Sequence, residues 1–178
     1  SVDEAVDELL KNSEEVIKDT ERKARELLRH SREVNKRSER ESERLKEEIE
    51  RVLRKLKRDN KVDDKILEDL RKKLEDLERE NRDSVRKNEE TVARLLREVE
   101  KSNEDNRRTL KELKDLVRNG EPIEELVERI KDSNRRDKEI IKDLERKIRE
   151  SDKRHKERVD DLARRVEEIV KELEEAAR

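Results

Sequence analysis

The chain has 178 residues, with 51 Lys and Arg against 53 Asp and Glu, and is 58% charged but only 28% apolar. Interleaved signs and a net charge of −2 exclude a basic nucleic-acid face, and no apolar run approaches the ~20 residues that span a bilayer. The lack of Cys removes disulfides and thiolate ligands.

The first predicted element is a helix over about residues 2–58. Ser1 with Glu4 forms a capping-box pattern ahead of it. Along it, Val16, Val34 and Val52 share one column, Leu9, Leu27 and Leu45 a second, and Ser13, Ser31 and Ile49 a third. Each step is 18 residues, which is five turns at 3.6 residues per turn, the period of an unsupercoiled helix. The helix is expected to end before a loop at about 59–62, where Asp63 can cap the next helix and Val62 can pack on Leu67.

The second helix covers about 63–118 and keeps the same spacing, with Leu77, Leu95 and Leu113 in one column and Ile66, Ser84 and Ser102 in another. A loop at about 119–121 follows. Gly120 suits a left-handed position after a helix, and Pro122 suits the first turn of the next one. The third helix, about 122–177, carries Leu126, Leu144 and Leu162 beside Ser133, Ser151 and Ile169. Three helices of roughly 55 residues, each about 80–85 Å long, joined by short loops, make an all-α, up-down-up antiparallel bundle of straight, essentially unsupercoiled rods. The whole chain, 1–178, is expected to be one domain. Ser1-Val2-Asp3-Glu4 is not expected to be a secretion signal, and a soluble chain, made in the cytoplasm of an expression host, is expected.

Stacking the three segments with their midpoints level brings apolar residues together at three heights. The lower height gathers Val2, Val6 and Leu9 with Leu110, Leu113, Val117, Ile123, Leu126 and Ile130. The middle gathers Ala24 and Leu27 with Val92, Leu95, Val99, Ile141, Leu144 and Ile148. The upper gathers Leu45, Ile49, Val52 and Leu56 with Ile66, Leu70, Leu74, Leu77, Leu162, Val166, Ile169 and Leu173. Two polar layers separate them. One holds Asn12, Ser13, Ser102, Asn103, Asn106, Ser133, Asn134 and Asp137, and the other holds Asn35, Ser38, Ser42, Asn81, Ser84, Asn88, Ser151, Asp152 and His155. A buried amide or hydroxyl left unpaired costs on the order of 1–3 kcal/mol, so clustering lets each satisfy another, and two hydrogen-bond networks across the core are expected.

The core contains no Phe, Tyr, Trp or Met, the helices are equal in length, and Asn119-Gly120-Glu121-Pro122 is a compact connector. In these respects, and in its alternating apolar and Ser/Asn/His layers, the chain resembles computationally designed helical bundles with buried hydrogen-bond networks. The resemblance covers the whole chain. It implies a structural scaffold without natural biochemical activity, in which the networks specify helix register and association. The alternative is a natural coiled-coil or spectrin-like spacer or interaction module; spectrin-like repeats normally carry core aromatics, which this chain lacks.

No chemistry stands out. Asp152 and His155 are three residues apart on neighbouring helix positions, a spacing that a metal pair or proton relay would also use. A zinc site needs three or four ligands, and a network histidine is the preferred reading. Nothing supplies a strained nucleophile turn or a phosphate loop, so no enzyme, catalytic residue, cofactor, metal or small-molecule ligand is expected. The apolar stripe is wide, flanked by Leu10, Ile17, Leu28 and Leu53, by Leu67, Val85 and Leu96, and by Val127, Ile140, Ala163 and Val170. Two readings stand: a boundary layer shared among the three helices, or a groove for a fourth helix or a second copy of the chain. No nucleic-acid or membrane partner is expected.

Overall fold

The computed structural model describes the backbone of residues 2–176 and all of their side chains except those of Ile66 and Ala176. The expected cap at Ser1, the core place of Ile66 and helical residue 177 therefore lie outside the described residues. The fold is an all-α three-helix bundle: α1 is Val2–Arg58, α2 is Asp64–Arg118 and α3 is Glu124–Ala176. The helix bonds that open α2 and α3 run from Leu67 N to the Asp63 carbonyl (3.1 Å) and from Val127 N to the Ile123 carbonyl (2.9 Å). Asp63 thus holds the capping position, as expected. Val62 packs against the same apolar cluster as Leu67.

Two expectations need correction here. Helix α3 starts at Glu124 and not at residue 122, so Pro122 precedes the cap instead of opening the first turn. Val2, placed in the lower apolar layer, is 69% exposed: it sits in the first turn of α1, and the apolar cluster takes up this helix only from Val6.

Both connectors close in the same way. Lys61 N and Glu121 N bond the Leu56 and Leu116 carbonyls (3.0 Å each), while Asn60 N and Gly120 N bond the Lys57 and Val117 carbonyls (3.2 Å each). This paired pattern caps the C-terminal carbonyls and requires one left-handed residue. Gly120 takes it with φ 66° and Asn60 with φ 53°. Asn tolerates that conformation better than other side-chain-bearing residues.

Packing divides the chain into two compact units. One comprises residues 1–30 with 91–149, the other 31–90 with 150–178, so each helix supplies a segment to each. In the first unit an apolar cluster of Val6, Leu9, Ile17, Leu110, Leu113, Leu126 and Ile130 forms one end. A second, of Leu27, Val92, Leu95, Val99, Ile141, Leu144 and Ile148, forms the other. The other unit has a single apolar cluster built on Leu45, Ile49, Leu53, Leu56, Leu67, Leu74, Leu77, Leu162, Val166, Val170 and Leu173. These clusters match the three expected apolar layers, with changes at their margins. Ile17, Leu53, Leu67, Val85 and Val170, read as flanking residues, are fully buried, while Val16, Val34 and Val52 are half-buried. The three-helix arrangement gives each helix two neighbours, so the buried arc is wider than one column.

Ion pairs dress the outside. Lys46–Glu78 (3.3 Å), Lys114–Glu14 (3.5 Å) and Arg107–Glu21 link α1 to α2, and Arg165–Glu80 (2.8 Å) links α2 to α3. In the α1–α2 pairs the residue numbers fall along one helix as they rise along the other, as antiparallel neighbours require. Exposed pairs of this kind contribute little stability each.

Candidate functional site: two buried polar clusters

In the unit of residues 1–30 and 91–149, the expected polar residues resolve into three local groups. Asp137 is 5% exposed and accepts from Ser102 Oγ (2.9 Å, on Oδ1) and from Asn106 Nδ2 (on Oδ2). Ser133 Oγ donates to Asn106 Oδ1 (2.6 Å), which extends this group from α2 to two positions on α3. Asn134 Nδ2 donates to Ser13 Oγ (2.8 Å), joining α3 to α1. The third group contains a residue that sequence reasoning passed over. Thr20, 4% exposed, has its Oγ1 2.8 Å from the Ile17 carbonyl and 3.1 Å from Asn103 Oδ1; its one hydrogen serves either acceptor. Its signal was present, since Thr20 stands 18 residues before Ser38 in the same column. Asn103 Nδ2 is buried without a partner.

Asn12 does not join this cluster. It is exposed, because it lies about 100° around the helix from Ser13, which takes the inward position. Its inclusion in the lower polar layer is corrected accordingly.

The other unit carries the more connected cluster. Asn88, 3% exposed, donates through Nδ2 to Asn35 Oδ1 (3.1 Å) and Asp152 Oδ1 (2.9 Å), with Ser31 Oγ at 3.4 Å. Its Oδ1 accepts from Ser151 Oγ (2.6 Å). Ser31 Oγ donates to Asp152 Oδ1 (2.9 Å) and is 2% exposed. Ser31 is a second residue missed as a network member, although it occupies the same column as Ser13. One side chain of α2 thus ties together two residues of α1 and two of α3. Asp152 Oδ2 has no hydrogen-bond partner among the described residues.

His155, 2% exposed, sits between two hydroxyls: Nδ1 is 2.7 Å from Ser84 Oγ and Nε2 is 2.9 Å from Ser38 Oγ. The tautomer follows from Ser38. Its hydrogen goes to the Asn35 carbonyl (2.8 Å), so its oxygen accepts from Nε2–H. Nδ1 is then the unprotonated nitrogen and accepts from Ser84. Burial holds the His155 pKa below its usual value; Asp152 opposes this shift and Arg158 adds to it. Two expected members stand apart. Asn81 is buried at 5% exposure with Oδ1 unpaired, and Ser42 is half-buried without a side-chain bond to the network.

Of the flanking apolar residues not already buried, Leu10, Leu28, Leu96, Val127 and Ala163 are half-buried and Ile140 is 38% exposed. Among the described residues no three His, Cys, Asp or Glu gather as a metal site, and no helix is long and apolar enough to cross a membrane. His30 is exposed. Comparisons with protein-family models, curated proteins and solved structures give no match to this chain.

Asp137 and Asp143, less than two turns apart on α3, are pushed in opposite directions. Burial raises the Asp137 pKa above the usual Asp value, against the lowering effect of Ser102, Asn106 and Arg136. Lys147 (3.0 Å) and Arg146 (2.6 Å) lower that of half-buried Asp143. A side-chain carboxyl ¹³C titration is expected to show Asp137 protonating first as pH falls, and the reverse order would contradict its burial. In linkage terms, a raised carboxyl pKa means the folded state binds more protons, so this group adds stability on acidification and loses it as pH rises.

Proposed function

We propose that this protein is a designed structural scaffold with no enzymatic activity, in which the buried polar clusters dictate which helix faces meet and at what height. The observation carrying this reading is the reach of Asn88 to Ser31 and Asn35 on one side and Ser151 and Asp152 on the other. The two Nδ2 hydrogens reach Asn35 and Asp152 while Oδ1 receives Ser151, and these bonds form together only within a narrow range of rotation and height of each helix. Apolar contacts discriminate poorly between such arrangements, because Leu, Ile and Val tolerate one another's places. The short connectors already limit sliding, so the added specificity lies in helix rotation and in rejecting other partners. An aromatic-free core and the lack of any matching family are in keeping with design. Association with a second copy or a partner helix is secondary in this reading, since Ile140 is the flanking residue left exposed.

The test replaces the whole Asn88 cluster by apolar residues: Ser31→Ala, Asn35→Leu, Asn88→Leu, Ser151→Ala and Asp152→Leu together. With every partner removed at once, no buried group is orphaned, so helicity and stability are expected to hold or rise. Uniqueness is expected to fall, seen as extra amide resonances or as mixed oligomers in light scattering. A monodisperse variant with a single sharp spectrum would defeat the specificity role.

A further inference from the structure

In the unit of residues 31–90 and 150–178, the polar cluster gives way along the helices to Leu45, Leu74, Leu77 and Leu162. Packing at this boundary leaves a recess of about 20 Å³, lined by these side chains, by the Lys46–Glu78 ion pair (3.3 Å), and by Ser42 and Asn81. Two observations converge on it. Asn81 is 5% exposed and its Oδ1 is buried with no hydrogen-bond partner among the described residues, a rare condition for a carbonyl. The space also has the capacity for one water, which needs roughly 10–15 Å³ and two to four polar partners. A cavity lined wholly by Leu and Val would stay dry, but this one carries an amide and a hydroxyl.

We infer that the recess is a binding site for a single water molecule, which donates to Asn81 Oδ1 and is held on its other side by Ser42 Oγ. The bound water joins α1 to α2 and satisfies the two expected network residues that the direct bonds leave out. It extends the polar cluster by one solvent-borne link at the edge of the apolar layer.

Water-selective NOE and ROE spectra of the full chain test this. Cross-peaks from the Asn81 side-chain amide and the Leu45 and Leu77 methyls to the water frequency are expected, with the NOE/ROE ratio of a water held longer than the protein's tumbling time. Ser42→Ala, which keeps the fold with minimal change, is expected to weaken these peaks, and Asn81→Leu to abolish them. Absent cross-peaks in the unsubstituted protein, or peaks that survive Asn81→Leu unchanged, would overturn the site. So would saturable xenon uptake at Leu45 and Leu77, the behaviour of an empty apolar cavity.

Discussion

Asn88→Ala is expected to lower the unfolding free energy by about 3–5 kcal/mol, far more than an amide truncation on a helix surface. Asn88 is 3% exposed and satisfies acceptors on both neighbouring helices: Asn35 Oδ1 at 3.1 Å and Asp152 Oδ1 at 2.9 Å. Its removal leaves Asn35 Oδ1 without its cross-helix donor and Asp152 with Ser31 alone, while Asp152 Oδ2 is already unpaired. Each buried group orphaned in this way costs about 1–3 kcal/mol, and the void left by the amide adds to that. Ser151, half-buried, can turn toward solvent and contributes little to the loss. Chemical denaturation gives the measurement, with Asn12→Ala as its control. Asn12 is exposed, so its truncation is expected to stay within about 0.5 kcal/mol. If the two variants lose the same amount, the cluster does not support the fold.

That contrast also marks what the sequence could and could not reveal. The apolar clusters follow from a single periodicity, because a 3.6-residue repeat fixes which side of a helix is buried whatever packs against it. Both connectors were visible as Asn and Gly among charged residues, although Asn60 was not recognised as the left-handed counterpart of Gly120. The polar residues were legible as inward-facing in the same way, yet their pairing was not. Asn103 bonds Thr20 and not the Asp137 group, and Asn81 is left out of the His155 group, because such choices turn on rotamers and on a few degrees of helix rotation. Thr20 was missed for a different reason. A β-branched hydroxyl reads as half apolar, and its column position, matched by Ser38, was the stronger guide. Asn12 failed in the opposite sense, its residue type suggesting the network while its phase placed it in solvent.

Stability is expected to fall as pH drops below about 6.5, the unfolded value for His, by up to about 1.4 kcal/mol per pH unit, until the pH reaches the folded-state pKa of His155. The sign follows from the depressed pKa. Between the two values the unfolded chain takes up a proton that the folded chain refuses, so acid favours unfolding. Burial is the main cause, and the groups that face the ring from α1 and α2 are the neutral hydroxyls of Ser38 and Ser84. Protonation would add a hydrogen at Nδ1, where Ser84 now donates, so the Ser84 hydroxyl would have to turn and become an acceptor. Asp152, one turn away, favours the charged ring but does not reverse the shift. His155→Gln removes the titration while keeping a polar side chain. The difference between the two proteins isolates this group from Asp137, whose raised pKa stabilises the fold on acidification. Denaturation midpoints at pH 7.5, 6.5 and 5.5 are expected to converge or cross as the unsubstituted protein weakens. Equal pH dependence in both would mean that His155 takes up its proton alike in the folded and unfolded chain, with Asp152 cancelling the cost of burial, and would overturn the depressed pKa.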